Sequence, residues 1–169
     1  MMSGIFDDDK GNDRFVYFNT KLEWLRPLFH EGHFCSRFCI DPCGVGMGVQ
    51  FAVQDKVVCT DDLPESLVVQ MKVKFHELMS FVAASCIEAY FCNVKHNCEI
   101  CAKRDWYPNR DEIQLFDYIC CQDPISFENV GVCGIVVSDE SSAQIIKMFK
   151  GSIRELKRLP VEVREDLFR

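Results

Sequence analysis

No stretch of 18 consecutive apolar residues occurs in the 169-residue chain, so no segment is long enough to span a bilayer as a helix. The opening MMSGIFDDDKGNDR carries acids close to the start and no apolar core, the pattern of neither a secretory signal nor an Arg-rich transit peptide. A soluble protein of the nucleus or cytoplasm is expected, with no membrane partner. A Gly-rich phosphate loop, an HExxH pair and any nucleophile motif are missing as well, so the motifs that announce catalysis give no support for an enzyme. Basic charge is scarce: 19 Lys and Arg stand against 26 Asp and Glu, for a formal charge of −7. The chain as a whole repels nucleic acid, and any such contact has to use a local basic surface.

What the chain does have is apolar mass. Hydrophobic residues make up 48% and 14 residues are Phe, enough for one domain with a real core. Eleven cysteines are present, and Cys39, Cys59, Cys86, Cys92, Cys120 and Cys133 sit inside apolar runs. In a reducing compartment such residues act as small hydrophobes.

The clearest local signal is residues 67 to 94. Val69, Met71 and Val73 alternate with Gln70 and Lys72, the period of a half-buried strand. Phe75, Leu78, Met79 and Val82 then follow helical spacing. Ile87, Ala89 and Phe91 alternate again, so a second strand that can pair with the first is expected. Residues 1–13 read as disordered. RFVYFN (14–19) reads as a strand, and Thr20 with Glu23 forms a capping box that starts a helix through Leu28, shortened or kinked by Pro27. FCSRFCI (34–40) and VGMGVQFAV (45–53) read as a hairpin, KVVCT (56–60) and EIQLFDYICC (112–121) as strands, 122–131 as a turn-rich connector, and VCGIVV (132–137) as the last strand. Ser141 with Gln144 opens a helix that Pro160 ends, and VEVREDLFR is a short helix or tail. The expected division is an α+β domain over 14–137 and a C-terminal helical segment over 138–169.

This order of elements resembles the DNA sliding clamp family, that is, proliferating cell nuclear antigen and the checkpoint clamp subunits. The resemblance rests on KLEWLRPLF (21–29) followed by FCSRFCIDPCGVGMGVQ (34–50), on MKVKFHELMSFVAASCIEAYFCNV (71–94), on FDYICCQDPISFENVGVCGIVV (116–137) and on SDESSAQIIKMFK (138–150). It departs from the family at Pro27 and at the Cys/His-rich excursion 95–110, and it stops near where a clamp's second domain would start, so a one-domain or truncated clamp is implied. The implied fold is an antiparallel sheet with short helices on one face. The implied role is that of a non-catalytic scaffold or processivity or checkpoint factor in DNA replication and repair, which binds clamp-binding peptides and self-associates or joins a clamp-family subunit. DNA-facing positions would be Lys21, Arg26, Lys72, Lys74 and His76, with Lys147, Lys150, Arg154, Lys157 and Arg158 on the last helix, contacting phosphates without sequence preference. Ile125, Phe127 and Met47 would form the partner-peptide site. Beside each stands a plainer role: solvated lysines, and apolar residues that pin a loop to the core.

A competing reading needs no DNA. Cys92, His96, Cys98 and Cys101 give C-x3-H-x-C-x2-C, four soft donors suited to zinc in a protein-interaction module. His30, His33, Cys35 and Cys39 form a second such group.

Overall fold

A computed structural model describes residues 14–40, 48–53, 67–92, 113–137 and 161–163. The architecture is mixed α+β: a seven-stranded, mostly antiparallel sheet with a few short helices. The three longest strands are β1 (Phe15–Lys21), β4 (Val68–Lys74) and β8 (Val132–Val137). With β3 (Val49–Ala52), β5 (Ala89–Cys92), β6 (Tyr118–Cys121) and β9 (Val161–Val163) they form a sheet in the order β5-β6-β3-β1-β4-β8-β9. All pairs are antiparallel except β8 with β9. A separate two-stranded ribbon pairs β2 (His33–Phe34) with β7 (Ile125–Ser126).

The alternation read from the sequence divides the sheet into two faces. Val16, Phe18, Phe51, Val69, Met71, Val73, Phe91, Ile119 and Ile135 join the main core. Helices α1 (Leu25–Glu31) and α2 (Phe75–Ala84) add Leu25, Leu28, Phe29, Phe75, Leu78, Met79 and Val82 to the same core, and the short α3 (Phe127–Val130) adds Val130. The α2 stripe is the one the spacing predicts. At the junction of α1, β2 and α3, the Phe34 ring packs 4.9 Å from Phe18, 5.3 Å from Phe51 and 4.7 Å from Phe127.

Several local expectations are corrected. Thr20 does not cap a helix: it lies in β1 opposite Val69, fully buried, with its hydroxyl oxygen lacking a hydrogen-bond partner among the described residues. The chain passes through a 3-10 turn at Leu22–Trp24 before α1 begins. The helix is short, as Pro27 led us to expect, and Pro27 falls in its first turn, where its missing N–H has no intrahelical acceptor. Gly32 closes α1 in the left-handed conformation, its N–H donating to Leu28 O at 2.9 Å.

Residues 34–40 are not a hairpin strand. They hold the second residue of β2 and a 3-10 turn at Ser36–Phe38, which lets Phe34 and Phe38 both reach the core. The partners of β3 are instead β1 and β6. Nor does β5 pair with β4, since β5 lies at the sheet edge against β6. Val161–Val163 is strand β9, parallel to β8, not helix. Cys86, expected inside, is exposed in the turn after α2 with φ +56°. The strand at 56–60, the 1–13 segment and the helix at 141–156 lie outside the described residues.

Candidate functional site

The face of the sheet turned away from α1 and α2 carries the unusual chemistry. Here Gln70 lies opposite Asn19, and Asn19 is two residues along β1 from Tyr17, which pairs with Ala52 two residues along β3 from Gln50. Gln50, Asn19 and Gln70 therefore form one row across β3, β1 and β4. All three are buried, at 2%, 3% and 0% exposure. Burying a carboxamide costs about 1–3 kcal/mol unless its polar atoms are bonded, and Gln70 Nε2 donates to Asn19 Oδ1 at 3.2 Å. The row continues through Cys120 to Tyr90 on one side and to Val136 on the other.

Around this row stand rings and ammonium groups. Tyr17, Trp24 and Tyr90 pack against a second apolar cluster formed by Ile40, Ala52, Val68, Cys92, Tyr118, Cys120 and Val136. Lys72 places its Nζ 4.1 Å from the centre of the Phe15 ring, and Lys21 places its own 4.5 Å from the Trp24 ring. Both lysines and both rings are half-buried. Lys74, opposite Phe15 in register, is half-buried at the N-cap of α2.

The structure thus brings Lys21, Lys72 and Lys74 to one face of β1 and β4. Arg26 stays exposed on α1 in the helical layer, and His76 sits in the first turn of α2. Lys147, Lys150, Arg154, Lys157, Arg158 and Met47 lie outside the described residues. Ile125 is fully buried in β7 opposite Phe34, and the half-buried Phe127 ring meets Phe29 at 5.4 Å and Phe34 at 4.7 Å.

Cys92 is fully buried with its Sγ 3.7 Å from that of Cys120, while His96, Cys98 and Cys101 lie outside the described residues. Of the second group, His30 and His33 are exposed, Cys35 is half-buried, and the buried Cys39 thiol donates to Ile40 O and Gln50 O, each at 3.5 Å. Among the described residues no three His, Cys, Asp or Glu side chains cluster closely enough to hold a metal. Two thiols are held neutral. Burial, helped by the charge of Asp123, pushes Cys121 up to about 12. Burial also raises Cys133, against the opposing pull of Lys72 and Lys74, and its thiol donates to Lys72 O at 3.1 Å.

The carboxamide row and the rings under the lysines are what sequence reasoning missed. Gln70 and Lys72 were visible as the opposite face of a strand, but their partners Asn19 and Phe15 come from a remote segment. The carboxamide row itself is closed to solvent, and the half-buried rings and lysines flank it.

No protein-family model and no curated protein matches the chain. Solved structures do match it. Thermus sp. 2.9 DarT in complex with NAD+ superposes with a TM-score of 0.60 at 11% identity, covering 93% of this chain and 98% of that one. The same protein with carba-NAD+ gives 0.62 at 12% identity and the same coverage. In complex with ADP-ribosylated ssDNA it gives 0.58 at 10% identity, over 93% and 97%. The fold is that of DarT. Thermosipho africanus DarTG in complex with ADP-ribose also matches, at TM-score 0.56 and 12% identity, with 92% of this chain covering 51% of that one.

This likeness corrects the sliding-clamp kinship, and with it the clamp-like form of the fold, the role in replication or checkpoint scaffolding, the clamp-binding peptides and the clamp-family partner subunit. It also removes the ground for a non-catalytic protein, in both its scaffold and its zinc-module form, because the structures sharing this fold hold NAD+ in one case and ADP-ribosylated DNA in another. The physical reason for the error is that a clamp was inferred from the order of elements along the chain. A fold is defined by which strands lie side by side, and the sheet order β5-β6-β3-β1-β4-β8-β9 is set by non-local pairing. No helix among the described residues is long and apolar enough to cross a membrane.

Proposed function

We propose that this chain binds NAD+ and transfers its ADP-ribosyl group to a single-stranded nucleic acid. The observation that carries the reading is the superposition, over nearly the whole of both chains, on DarT structures holding NAD+ and ADP-ribosylated ssDNA. In the transfer, the bond between ribose C1′ and the nicotinamide nitrogen breaks and nicotinamide leaves with the electron pair. A nucleophilic atom of the acceptor forms the new bond to C1′ and gives up its proton to solvent or a base. NAD+ is a substrate here, consumed in the reaction, and no metal is needed to balance it.

The face with Tyr17, Tyr90, Lys21 and Lys72 around the buried carboxamides supports the reading chemically, since dinucleotide and oligonucleotide alike present flat rings joined by phosphates. The test is incubation of the full chain with NAD+ and a short single-stranded oligonucleotide, with nicotinamide release and oligonucleotide mass both followed. A mass gain of one ADP-ribosyl group together with nicotinamide release is the expected result. NAD+ that binds by calorimetry but is never cleaved would turn the reading into that of an ADP-ribose-binding module. Failure to bind NAD+, carba-NAD+ or ADP-ribose would refute it.

A further inference from the structure

We infer that Cys92 and Cys120 are two ligands of a tetrahedral structural zinc ion that ties the edge strand β5 to β6. The inference goes beyond the transfer reading above and does not depend on it. Both thiols are fully buried, neither is in a disulfide, and their Sγ atoms stand 3.7 Å apart. Two zinc–sulfur bonds of about 2.3 Å, opening at the tetrahedral angle, place their sulfurs about 3.8 Å apart. The pair has the spacing of one edge of that tetrahedron.

The register sets this arrangement apart from a disulfide. Cys92 lies opposite Tyr118 and Cys120 opposite Tyr90, so the two cysteines are diagonal neighbours across the strand pair. Diagonal residues of paired strands are about 7–8 Å apart, whereas a disulfide needs Cα atoms within about 6.8 Å and sulfurs about 2.05 Å apart. Closing the pair into a disulfide requires the strands to shift. A two-coordinate ion such as copper(I), with both sulfurs in line at a similar bond length, sets them about 4.6 Å apart, which requires them to spread. The observed separation fits the tetrahedral ion.

The surroundings explain why a cation belongs there. Cys92 and Cys120 share an apolar cluster with Ile40, Ala52, Val68, Tyr118 and Val136, where a lone thiolate is costly. Zn²⁺ offsets both charges, as each thiol gives its proton to solvent and a lone pair to the ion.

Among the described residues β5 is the outermost strand of the sheet, with β6 its one neighbour. It ends at Cys92, β6 begins at Tyr118, and the Asp117 N–H donates to Cys92 O at 2.9 Å across that neck. An ion held by Cys92 and Cys120 closes the neck a second time, beside the strand position where Cys120 lies opposite Gln50. Between the two cysteines the sequence carries His96, Cys98 and Cys101, donors of the type that completes such a site, which lie outside the described residues. The ion is a tie within this fold rather than the basis of a separate interaction module, and it takes no part in the transfer.

The test is elemental analysis of the tag-free full chain, followed by replacement of the metal with Co²⁺, for the parent, Cys92→Ala, Cys120→Ala and Cys86→Ser, the last at an exposed thiol. Stoichiometric zinc is expected in the parent and in Cys86→Ser, and its loss on desalting from both alanine variants. The cobalt-loaded parent is expected to show tetrahedral d–d bands with thiolate-to-cobalt charge transfer. A chelator is expected to lower the unfolding temperature of the parent and leave the alanine variants unmoved. X-ray absorption on the unaltered zinc-loaded chain is expected to find two or more sulfurs at about 2.3 Å from the metal, which keeps the test decisive should a variant fold poorly.

A parent chain that carries no zinc and takes up no cobalt overturns the inference and leaves the two thiols as apolar packing. Zinc retained in full by both alanine variants, fewer than two sulfurs around the metal, copper in place of zinc, or a Cys92–Cys120 disulfide found by peptide mapping overturns it as well. None of these results bears on NAD+ cleavage, which is read separately as nicotinamide release, so the two readings fail independently.

Discussion

Replacing Gly48 by alanine is expected to destabilise the protein far more than the same change at Gly32, although both glycines have left-handed φ values, +90° and +72°. Gly32 follows α1, and a Cβ there would meet nothing within 4 Å. Its replacement costs only the left-handed conformation, about 1–2 kcal/mol. A Cβ on Gly48 would instead collide with the carbonyl oxygen of Cys121, and would also stand 3.2 Å from that carbonyl carbon and 3.2 Å from Gln122 Cα. These are backbone atoms and cannot rotate aside. Cys121 is paired on both sides, to Val49 of β3 and to Ala89 of β5, so relief requires β3 and β6 to separate where the sheet is buried. Overpacking of this kind adds about 1–3 kcal/mol, for a total of roughly 2–5 kcal/mol at Gly48. At about 2–4 °C per kcal/mol for a chain of this size, thermal unfolding should fall by about 2–8 °C for Gly32→Ala and, at the upper end for Gly48→Ala, by about 20 °C. The assay is thermal or urea unfolding of the two variants side by side. Equal losses would refute the reasoning, because the left-handed backbone is common to both and only the approach to Cys121 separates them.

The Asn19–Gln70 bond should appear as a coupling in a double-mutant cycle with Asn19→Ala and Gln70→Ala: each single change removes a buried carboxamide and its bond to the other, at about 1–3 kcal/mol, and the double change costs less than their sum by about 1 kcal/mol, whereas strict additivity in urea titrations would contradict the bond. Stability should also decline at alkaline pH through Cys121. The folded thiol is pushed from 9.0 up to about 12, so the folded state holds its proton more tightly, the full contribution is present below pH 9, and up to about 1.4 kcal/mol is lost for each unit above that until pH 12. Cys121→Ala should flatten this decline in unfolding curves recorded from pH 8 to pH 10.5, and an equally steep loss in the variant would remove Cys121 as the cause.

How legible the molecule is from its sequence depends on whether the information is local. The β4-α2-β5 unit was readable because its period passes from two to three and a half and back within one short segment, and Phe75, Leu78, Met79 and Val82 are the residues buried. VCGIVV was readable as β8 for the same reason. The T-x-x-E pattern at Thr20 and Glu23 misled because a capping box is only a set of residue types, and at Thr20 the competing demand of pairing with Val69 prevailed. Residues 34–40 misled because apolar residues at 34, 35, 38, 39 and 40 fit neither period cleanly, and the 3-10 turn at Ser36–Phe38 satisfies them. At the candidate site the lysines were legible as cations. That Lys72 rests on Phe15, and Lys21 on Trp24, depends on a strand pairing and a turn that no local pattern specifies.

The same dependence explains why β1 is the element on which site and stability meet. It lies between β3 and β4, and its two faces are chemically opposite: Val16, Phe18 and Thr20 toward the helices, Phe15, Tyr17, Asn19 and Lys21 away from them. A register slip of one residue against β4 would exchange these sets. It would bring Asn19 and Lys21 into the layer with Leu25, Leu28 and Met79, and break the carboxamide bond to Gln70. A charge or an amide left unpaired in that layer costs several kcal/mol, comparable with much of a domain's net stability. The buried amides are thus a lock on pairing, and by fixing the pairing they also fix which side of the sheet carries the cations. Changes that weaken the Gln50, Asn19 and Gln70 row should therefore loosen the pairing of β1 with its neighbours, read as faster amide hydrogen exchange along β1 than along β6, and unchanged exchange in β1 would contradict the lock.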